Sequence, residues 1–286
     1  GVQTGVSKSE VSRICAGLDK EIEAFRTRSL AHTEFPYVFC DATFCKVRIG
    51  AHVVSQALVV ATGVSIDGTR EVLGTAVGDS ESYEFWREFL VSLKARGLSG
   101  VHLVISDAHA GLKAAVAQQF SGSSWQRCRV HFMRNLHTAV AAKHAPAVTA
   151  AVKTIFAHTD ADEVAAQWDR VADTLATSFP KVAAMMTEAK SDVLAFTAFP
   201  KAHWQKIWSN NPIERLNKEI KRRADVVEIF PNPAAFLRLA TAVVIESHDE
   251  WQVTRRYLSD VSMDELRAVI AKKNAAAALA KQHQIA

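Results

Sequence analysis

The segment YVFCDATFCKVR at residues 37–48 is the first of three β-rich runs, followed by HVVSQALVVATGVSI at 52–66 and REVLGTAV at 70–77. β-Branched and aromatic residues dominate these runs, and Asp67 with Gly68 marks a tight turn between the second and the third. The pattern predicts a three-stranded antiparallel meander.

Helices and strands alternate after the meander. A helix capped by Ser80 or Ser82 comes first, then the strand VHLVIS at 101–106, a short helix, and a strand around 125–130. Such alternation is typical of a parallel extension of a sheet. The fold class predicted is therefore α/β, with a mixed five-stranded sheet.

The rest of the chain shows helical signals. Residues 7–26 carry apolar side chains at helical spacing, an alanine-rich stretch lacks strand signals, and a helix begins at Pro212. Four segments are predicted: a partial N-terminal helical DNA-binding segment at 1–33, the first part of the core at 34–134, an all-helical insertion at 135–205, and the last part of the core with C-terminal helices at 206–286.

Composition narrows the class of protein. The chain has 286 residues, 49% of them hydrophobic, which is enough for an ordinary core, and its formal charge of +4 neither requires nor excludes nucleic acid. Four cysteines do not suggest a disulfide framework, and no apolar run approaches a membrane span, so a reducing cytoplasm is expected. The start at Gly1 suggests a fragment with sequence missing upstream.

Three carboxylates are the candidate catalytic groups. Asp41 lies inside an apolar strand, where an unpaired carboxylate is costly, and Asp107 ends another apolar strand, at the edge where ligands bind open sheets. A divalent cation would relieve their repulsion, and Glu214, one turn into a helix, can approach the same point. Three carboxylates suit two Mg²⁺ or Mn²⁺ ions that act on a phosphodiester.

Each carboxylate also has a structural interpretation. Asp41 could form a salt bridge or face solvent, and Asp107 could cap the following helix. With Asn211 as the cap, Glu214 occupies the position of the glutamate in a capping box. Spacing alone does not decide between these interpretations.

At these residues the chain resembles the Mutator-type transposases of bacterial insertion sequences. The matching segments are FPYVFCDATFCKVR, VHLVISDAHAGLKAAV, WQRCRVHFMRNL and SNNPIERLNKEIKRRADVVEIFPNPAAFLRL. The resemblance implies a ribonuclease-H-like fold with a helical insertion before the last catalytic helix. It also implies that Asp41, Asp107 and Glu214 are the D-D-E carboxylates.

The family also carries a C-x-x-H signature, which is Cys128 to His131 here. The resemblance suggests that His131 lies close to the active site and orients a carboxylate or the DNA. A zinc site completed by Cys40 and Cys45 is an alternative, since zinc normally takes four ligands. Packing of a strand end is another.

Basic residues flank both motifs and are expected to neutralise DNA phosphates. They are Arg127, Arg129, Arg134, Arg215, Lys218, Lys221, Arg222 and Arg223. A solvated helix face, with Glu219 pairing locally with Lys218 and Arg223, is the competing interpretation.

These features predict a DNA transposase that nicks element ends and transfers the 3′-hydroxyl to target DNA, acting as a homodimer or higher oligomer on DNA. A catalytically inactive DNA-binding or regulatory remnant is the alternative. A ribonuclease-H-like nuclease unrelated to mobile elements is a third possibility, and it predicts cleavage without joining.

Overall fold

The sheet is built outward from its central strand, β1. The computed structural model describes residues 7–78 and 82–285, with side chains as far as residue 279, and in this part of the chain six strands form one mixed sheet. The strands are β1 (Tyr37–Ile49), β2 (His52–Val64), β3 (Arg70–Gly78), β4 (Leu103–Ser106), β5 (Ser124–Arg127) and β6 (Ile229–Phe230).

Helices make up most of the remaining chain. They are α1 (Lys8–Thr27), α2 (Tyr83–Ala95), α3 (Ala110–Gln119), α4 (Arg129–Thr138), α5 (Ala145–Ile155), α6 (Ala161–Ala176), α7 (Pro180–Val193), α8 (Trp204–Ile207), α9 (Asn211–Ala224), α10 (Pro233–Val253) and α11 (Asp260–Ile285). Short 3-10 turns lie at Ala142–His144, Ala195–Ala198 and Lys201–His203. None of the described helices is long and apolar enough to cross a membrane.

The predicted meander is confirmed. Strands β1, β2 and β3 pair antiparallel in sequence, and the turn before β3 contains Gly68 at φ +79°. A side chain at Gly68 would meet the carbonyl oxygen of Leu258, so both the backbone angle and the space require glycine.

The parallel extension is confirmed as well. β4 pairs with β1, and β5 pairs with β4, which gives the order β3-β2-β1-β4-β5. Register partners across β1 and β4 are Tyr37 with Leu103 and Phe39 with Ile105. Because the pairing stops there, the two strands separate just beyond, and a cleft opens between β1 and the carboxyl end of β4.

Two details of the predicted sheet are wrong. The fifth strand ends at Arg127 rather than near residue 130, because Phe132 and Leu136 bury one face of a helix that begins at Arg129. The sheet also has a sixth strand, the two-residue β6, which pairs with Lys46 and Val47 of β1. So short a strand has no periodicity to detect.

Of the two predicted caps of α2, the structure shows Ser82, and Ser7 caps α1. Each serine hydroxyl accepts a hydrogen bond from the backbone N–H three residues later. Ser80 and residues 1–6 lie outside the described residues. The assignment of 1–33 to a DNA-binding segment therefore stays a prediction, and in the structure Asp19 of α1 binds Arg238 of α10.

Helices α4 to α8 share one buried core with the sheet. One buried cluster combines Tyr37, Phe39 and Ile105 from the strands with Trp168 and Met186 from the helices. The described residues from Arg129 to Ala224 are helices, 3-10 turns and loops. Whether residues 135–205 form a separate insertion stays a prediction, but their hydrophobic core is shared with the sheet.

Candidate active site

A cleft of about 340 Å³ opens where β1 and β4 separate, and all three candidate carboxylates line it. The register that pairs Phe39 with Ile105 places Asp41 opposite Asp107 when it is continued by two residues. Asp41 lies in β1 and Asp107 directly follows β4, so these carboxylates come from adjacent strands. Glu214 reaches the cleft from α9.

Asp41 is held by an amide rather than by a cation. The Asn217 side chain donates a hydrogen bond from Nδ2 to Asp41 Oδ2 at 2.7 Å. Burial raises the pKa of Asp41 to about 6, and the negative charge of Asp107 adds to this, whereas His131 and Asn217 act in the opposite direction. Within the described residues the structure supports hydrogen bonding by Asn217 rather than the salt-bridge interpretation of Asp41.

Asp107 does not cap the following helix. His109 does so by accepting the Leu112 N–H at 3.4 Å, whereas Asp107 Oδ1 accepts the N–H of Ala108 at 2.6 Å. His131 Nδ1 lies 4.0 Å from Asp107 Oδ1, beyond hydrogen-bond distance but within reach of electrostatic attraction. The predicted neighbours Asp107 and His131 are thus brought together.

His131 is mostly buried on α4 and faces both aspartates. The Cys128 side chain has the largest influence on the pKa of His131. Cys128, Asp107 and Asp41 together raise this pKa to about 9, although burial opposes the change. His131 Nδ1 is buried without a hydrogen-bond partner. This unpaired nitrogen faces the carboxylate edge of the cleft.

Glu214 does not form the capping box. Helix α9 begins one residue earlier than that interpretation requires, with Asn210 as the cap, and the Asn210 N–H donates to Cys128 Sγ at 3.3 Å. Glu214 Oε1 is buried and has no hydrogen-bond partner. Since Glu214 satisfies nothing at the helix start, its carboxylate is left for the cleft.

Two asparagines dock α9 onto β1 on either side of Glu214. Asn210 Nδ2 donates to the carbonyl of Cys40 at 3.1 Å, and Asn217 holds Asp41. Positions 210, 214 and 217 share one helical face because they are spaced by four and three residues. Sequence reasoning missed both asparagines, although this spacing from Glu214 was a signal that could have found them.

The cysteines belong to this docking and not to a zinc site. Cys40 and Cys128 are buried, and all four cysteines are free. Among the described residues, no three His, Cys, Asp or Glu side chains are placed to hold a metal ion. The zinc alternative is therefore not supported, and Cys128 acts as a hydrogen-bond acceptor for the start of α9.

The predicted basic residues separate into four groups. Arg134, Lys218 and Lys221 line the cleft. Glu219 pairs with Arg223, as the local-pairing interpretation expects, and also with Arg222, but not with Lys218. Arg215 lies on the opposite side of α9, in a neighbouring cavity.

Arg127 and Arg129 pack against aromatic rings. The Arg129 guanidinium lies 3.9 Å from the ring centre of Trp208 and 4.4 Å from that of Phe156, and burial lowers its pKa. Arg127 lies 5.1 Å from the ring centre of Phe132. These contacts place both guanidiniums partly inside the helical layer, away from the cleft lining.

The donor chemistry of the cleft fits a hard divalent cation. Its carboxylate and amide oxygens are the ligands that Mg²⁺ and Mn²⁺ prefer, and Glu214 Oε1 and Asn217 Oδ1 are buried without partners. The three carboxylates line one cleft without closing around a common point. A cation would therefore have to draw these side chains together.

Comparison with known proteins supports the same class of protein as the sequence resemblance. A family model described as "Transposase, Mutator family" matches residues 1–254. The chain belongs to this family. Mutator-family relatives include the transposase for insertion sequence element IS1081 of Mycobacterium tuberculosis, 47% identical over 93% of this chain and 64% of the relative.

Two further Mutator-family relatives are more distant. The transposase for ISRM5 of Rhizobium meliloti is 39% identical over 91% of this chain and 65% of its own length. The transposase for IS256 in transposon Tn4001 of Staphylococcus aureus is 37% identical over 89% of this chain and 66% of its own length. The chain spans slightly under two thirds of each of these three relatives.

Proposed function

We propose that this chain carries the catalytic centre of a D-D-E DNA transposase, with Asp41, Asp107 and Glu214 as its carboxylates. The observation that carries the proposal is the single cleft that all three line, at the point where the parallel strands β1 and β4 stop pairing. The strand order β3-β2-β1-β4-β5 supports a ribonuclease-H-like assignment. The names of the relatives support transposition as the reaction.

The residues of the cleft have separate tasks. Two Mg²⁺ or Mn²⁺ ions, when bound, would activate a water or a 3′-hydroxyl and stabilise the leaving oxygen at phosphorus. Asp41, Asp107 and Glu214 would hold them, and Asn217 fixes the orientation of Asp41. Lys218, Lys221 and Arg134 would neutralise DNA phosphates at the rim, with His131 orienting Asp107.

The partners follow from this reaction. Joining two element ends to a target requires DNA as substrate and at least two active sites, so the proposed unit is a homodimer or higher oligomer on DNA. The cytoplasmic location expected from the cysteine content stays a prediction.

The test is Mg²⁺-dependent nicking and strand transfer on DNA that carries the element ends, resolved on a denaturing gel. Asp41→Ala, Asp107→Ala and Glu214→Ala are each expected to abolish both products, whereas Asp173→Ala, at an exposed position on α6, should match the unmodified chain. Full strand transfer by any of the three variants would refute the site. Specific gel-shift binding without nicking would indicate a regulator, and cleavage without joining would indicate a nuclease.

A further inference from the structure

A second cavity, of about 640 Å³, lies across α9 from the catalytic cleft. Its walls are α9, α10 and the first residue of β3, Arg70. Lys218 lines both cavities. Because a helix with its side chains is about 10–12 Å across, an extended polymer can lie in both cavities, whereas a small anion can occupy only one.

The basic side chains of this cavity differ in whether they form ion pairs. Arg222 and Arg223 are bound by Glu219, and Arg223 also by Glu246 at 2.8 Å. Arg215 and Lys218 are exposed on α9 and form no ion pair within the described residues. Positive charge therefore remains available at the side of the cavity nearest the catalytic cleft.

Arg70 is fixed in place by aromatic rings. Its guanidinium carbon lies 3.6 Å from the ring centre of Trp251 and 5.0 Å from that of Tyr257. Arg70 Nε is buried without a hydrogen-bond partner. A guanidinium stacked by its face keeps its in-plane N–H groups free to donate, which suits the paired oxygens of a phosphate.

Arg70 and Arg215 line the same cavity, and their positive charges repel each other. Burial is the main cause that lowers the pKa of Arg70, and the positive charge of Arg215 lowers it further, against the opposing influence of Tyr257 and Glu250. Like charges brought together in a partly buried wall are relieved by a bound anion. Glu250 offsets only part of this charge.

We propose that this second cavity, formed by α9, α10 and Arg70, binds the phosphodiester backbone of the DNA strand that leaves the catalytic cleft. Arg70 and Arg215 contact phosphates inside it, and Lys218 guides the strand across α9. The inference rests on the proposed function, since it takes DNA as the substrate. DNA is favoured over a free anion because Lys218 lines both cavities, and only a polymer is long enough to occupy both at once.

The test is the salt dependence of DNA binding, measured by fluorescence anisotropy on a labelled duplex with a single-stranded extension, without divalent cations so that no cleavage occurs. Each lost phosphate contact lowers the slope of log K against log salt concentration by about 0.7–0.9. Arg215→Gln and Arg70→Gln are expected to show this loss. Arg170→Gln removes the same charge from an exposed position on α6 and should leave the slope unchanged.

Several outcomes would overturn the inference. One is an unchanged slope for Arg215→Gln, an exposed position whose variant should fold, while the unmodified chain binds and cleaves DNA; the proposed function would then stand. Another is displacement of the DNA by low millimolar inorganic phosphate at constant ionic strength, which would assign the cavity to a free anion. Altered slopes together with full cleavage by Asp41→Ala would instead refute the proposed function alone.

Discussion

The Asn217 amide links the helix that carries Glu214 to the strand that carries Asp41. Its Nδ2 holds Asp41 Oδ2 at 2.7 Å, and its Oδ1 is buried without a partner. A hydrogen bond to a charged group contributes about 1.5–3 kcal/mol, so the orientation of Asp41 depends on this contact. Asn217 is a positioning residue, and its effect should appear in cation affinity.

Asn217→Ala is expected to weaken Mn²⁺ binding and lower cleavage by roughly 10- to 100-fold, as partners of metal-binding groups typically do. Isothermal titration with Mn²⁺ measures the first effect, and a cleavage assay at fixed Mn²⁺ measures the second. Asn274→Ala, at an exposed position on α11, is the matched control. Equal Mn²⁺ affinities for the two variants would contradict the role of Asn217.

Some of these residues were predictable from the sequence and others were not. Asp41 and Asp107 stand in or after apolar strands, so local pattern was enough to select them. Asn217 could not be paired with Asp41 in this way, because 176 residues separate them. The stacking of Arg70 on Trp251 likewise depends on how α10 packs against the sheet, which periodicity does not encode.

Helix α9 is positioned at its start by Cys128, the residue just before α4. The buried Cys128 Sγ accepts the N–H of Asn210 at 3.3 Å. Cys128→Ala would leave this N–H unpaired, and we expect a loss of about 1–3 kcal/mol in the free energy of unfolding, measured by urea denaturation. Cys15→Ala, at a half-exposed position on α1, should change the free energy of unfolding by less than about 0.5 kcal/mol. Equal effects, or destabilisation of the unmodified chain by a zinc chelator, would contradict this account.

A buried hydrogen bond joins the start of β1 to the turn before α8. The Tyr37 hydroxyl and His203 Nδ1 lie 2.7 Å apart, and burial lowers the pKa of His203 to about 4. Below the ordinary histidine pKa of about 6.5, the unfolded chain therefore takes up a proton that the folded chain does not. The contribution of His203 to stability is lost as the pH falls from about 6.5 towards about 4.

His203→Gln is accordingly expected to reduce the loss of stability between about pH 6.5 and about pH 4.5 by roughly 2 kcal/mol. Urea denaturation at the two pH values measures the difference, with His52→Gln, at an exposed position on β2, as control. The same pH dependence in both variants would show that His203 does not contribute.

The elements themselves were largely predictable, and the failures have local causes. The meander carries strong turn signals, which the structure confirms, and α9 begins within one residue of its predicted start at Pro212. The end of β5 was misjudged because Val130 and Phe132 suit a strand as well as a helix. Only packing of Phe132 against Trp168 selects the helix.

At the level of the whole chain, sheet and helical layer share one hydrophobic core. Trp168 stacks on Phe132 at 5.6 Å between ring centres, and its N–H donates to the Met186 carbonyl, within the cluster that also holds Tyr37 and Phe39. We expect one cooperative unfolding transition, with coincident urea curves by far-ultraviolet circular dichroism and tryptophan fluorescence. Trp168→Phe should move both curves together to lower urea. Separate transitions would show that the helical layer folds independently.

The claim that unites these levels is that the cleft between β1, β4 and α9 is a two-cation catalytic centre. A crystal of the chain soaked in Mn²⁺ tests it most directly through anomalous scattering. The account predicts two peaks, roughly 3.5–4 Å apart, bound by Asp41, Asp107 and Glu214. No peak in the cleft, or a cation that Glu214 does not contact, would contradict it.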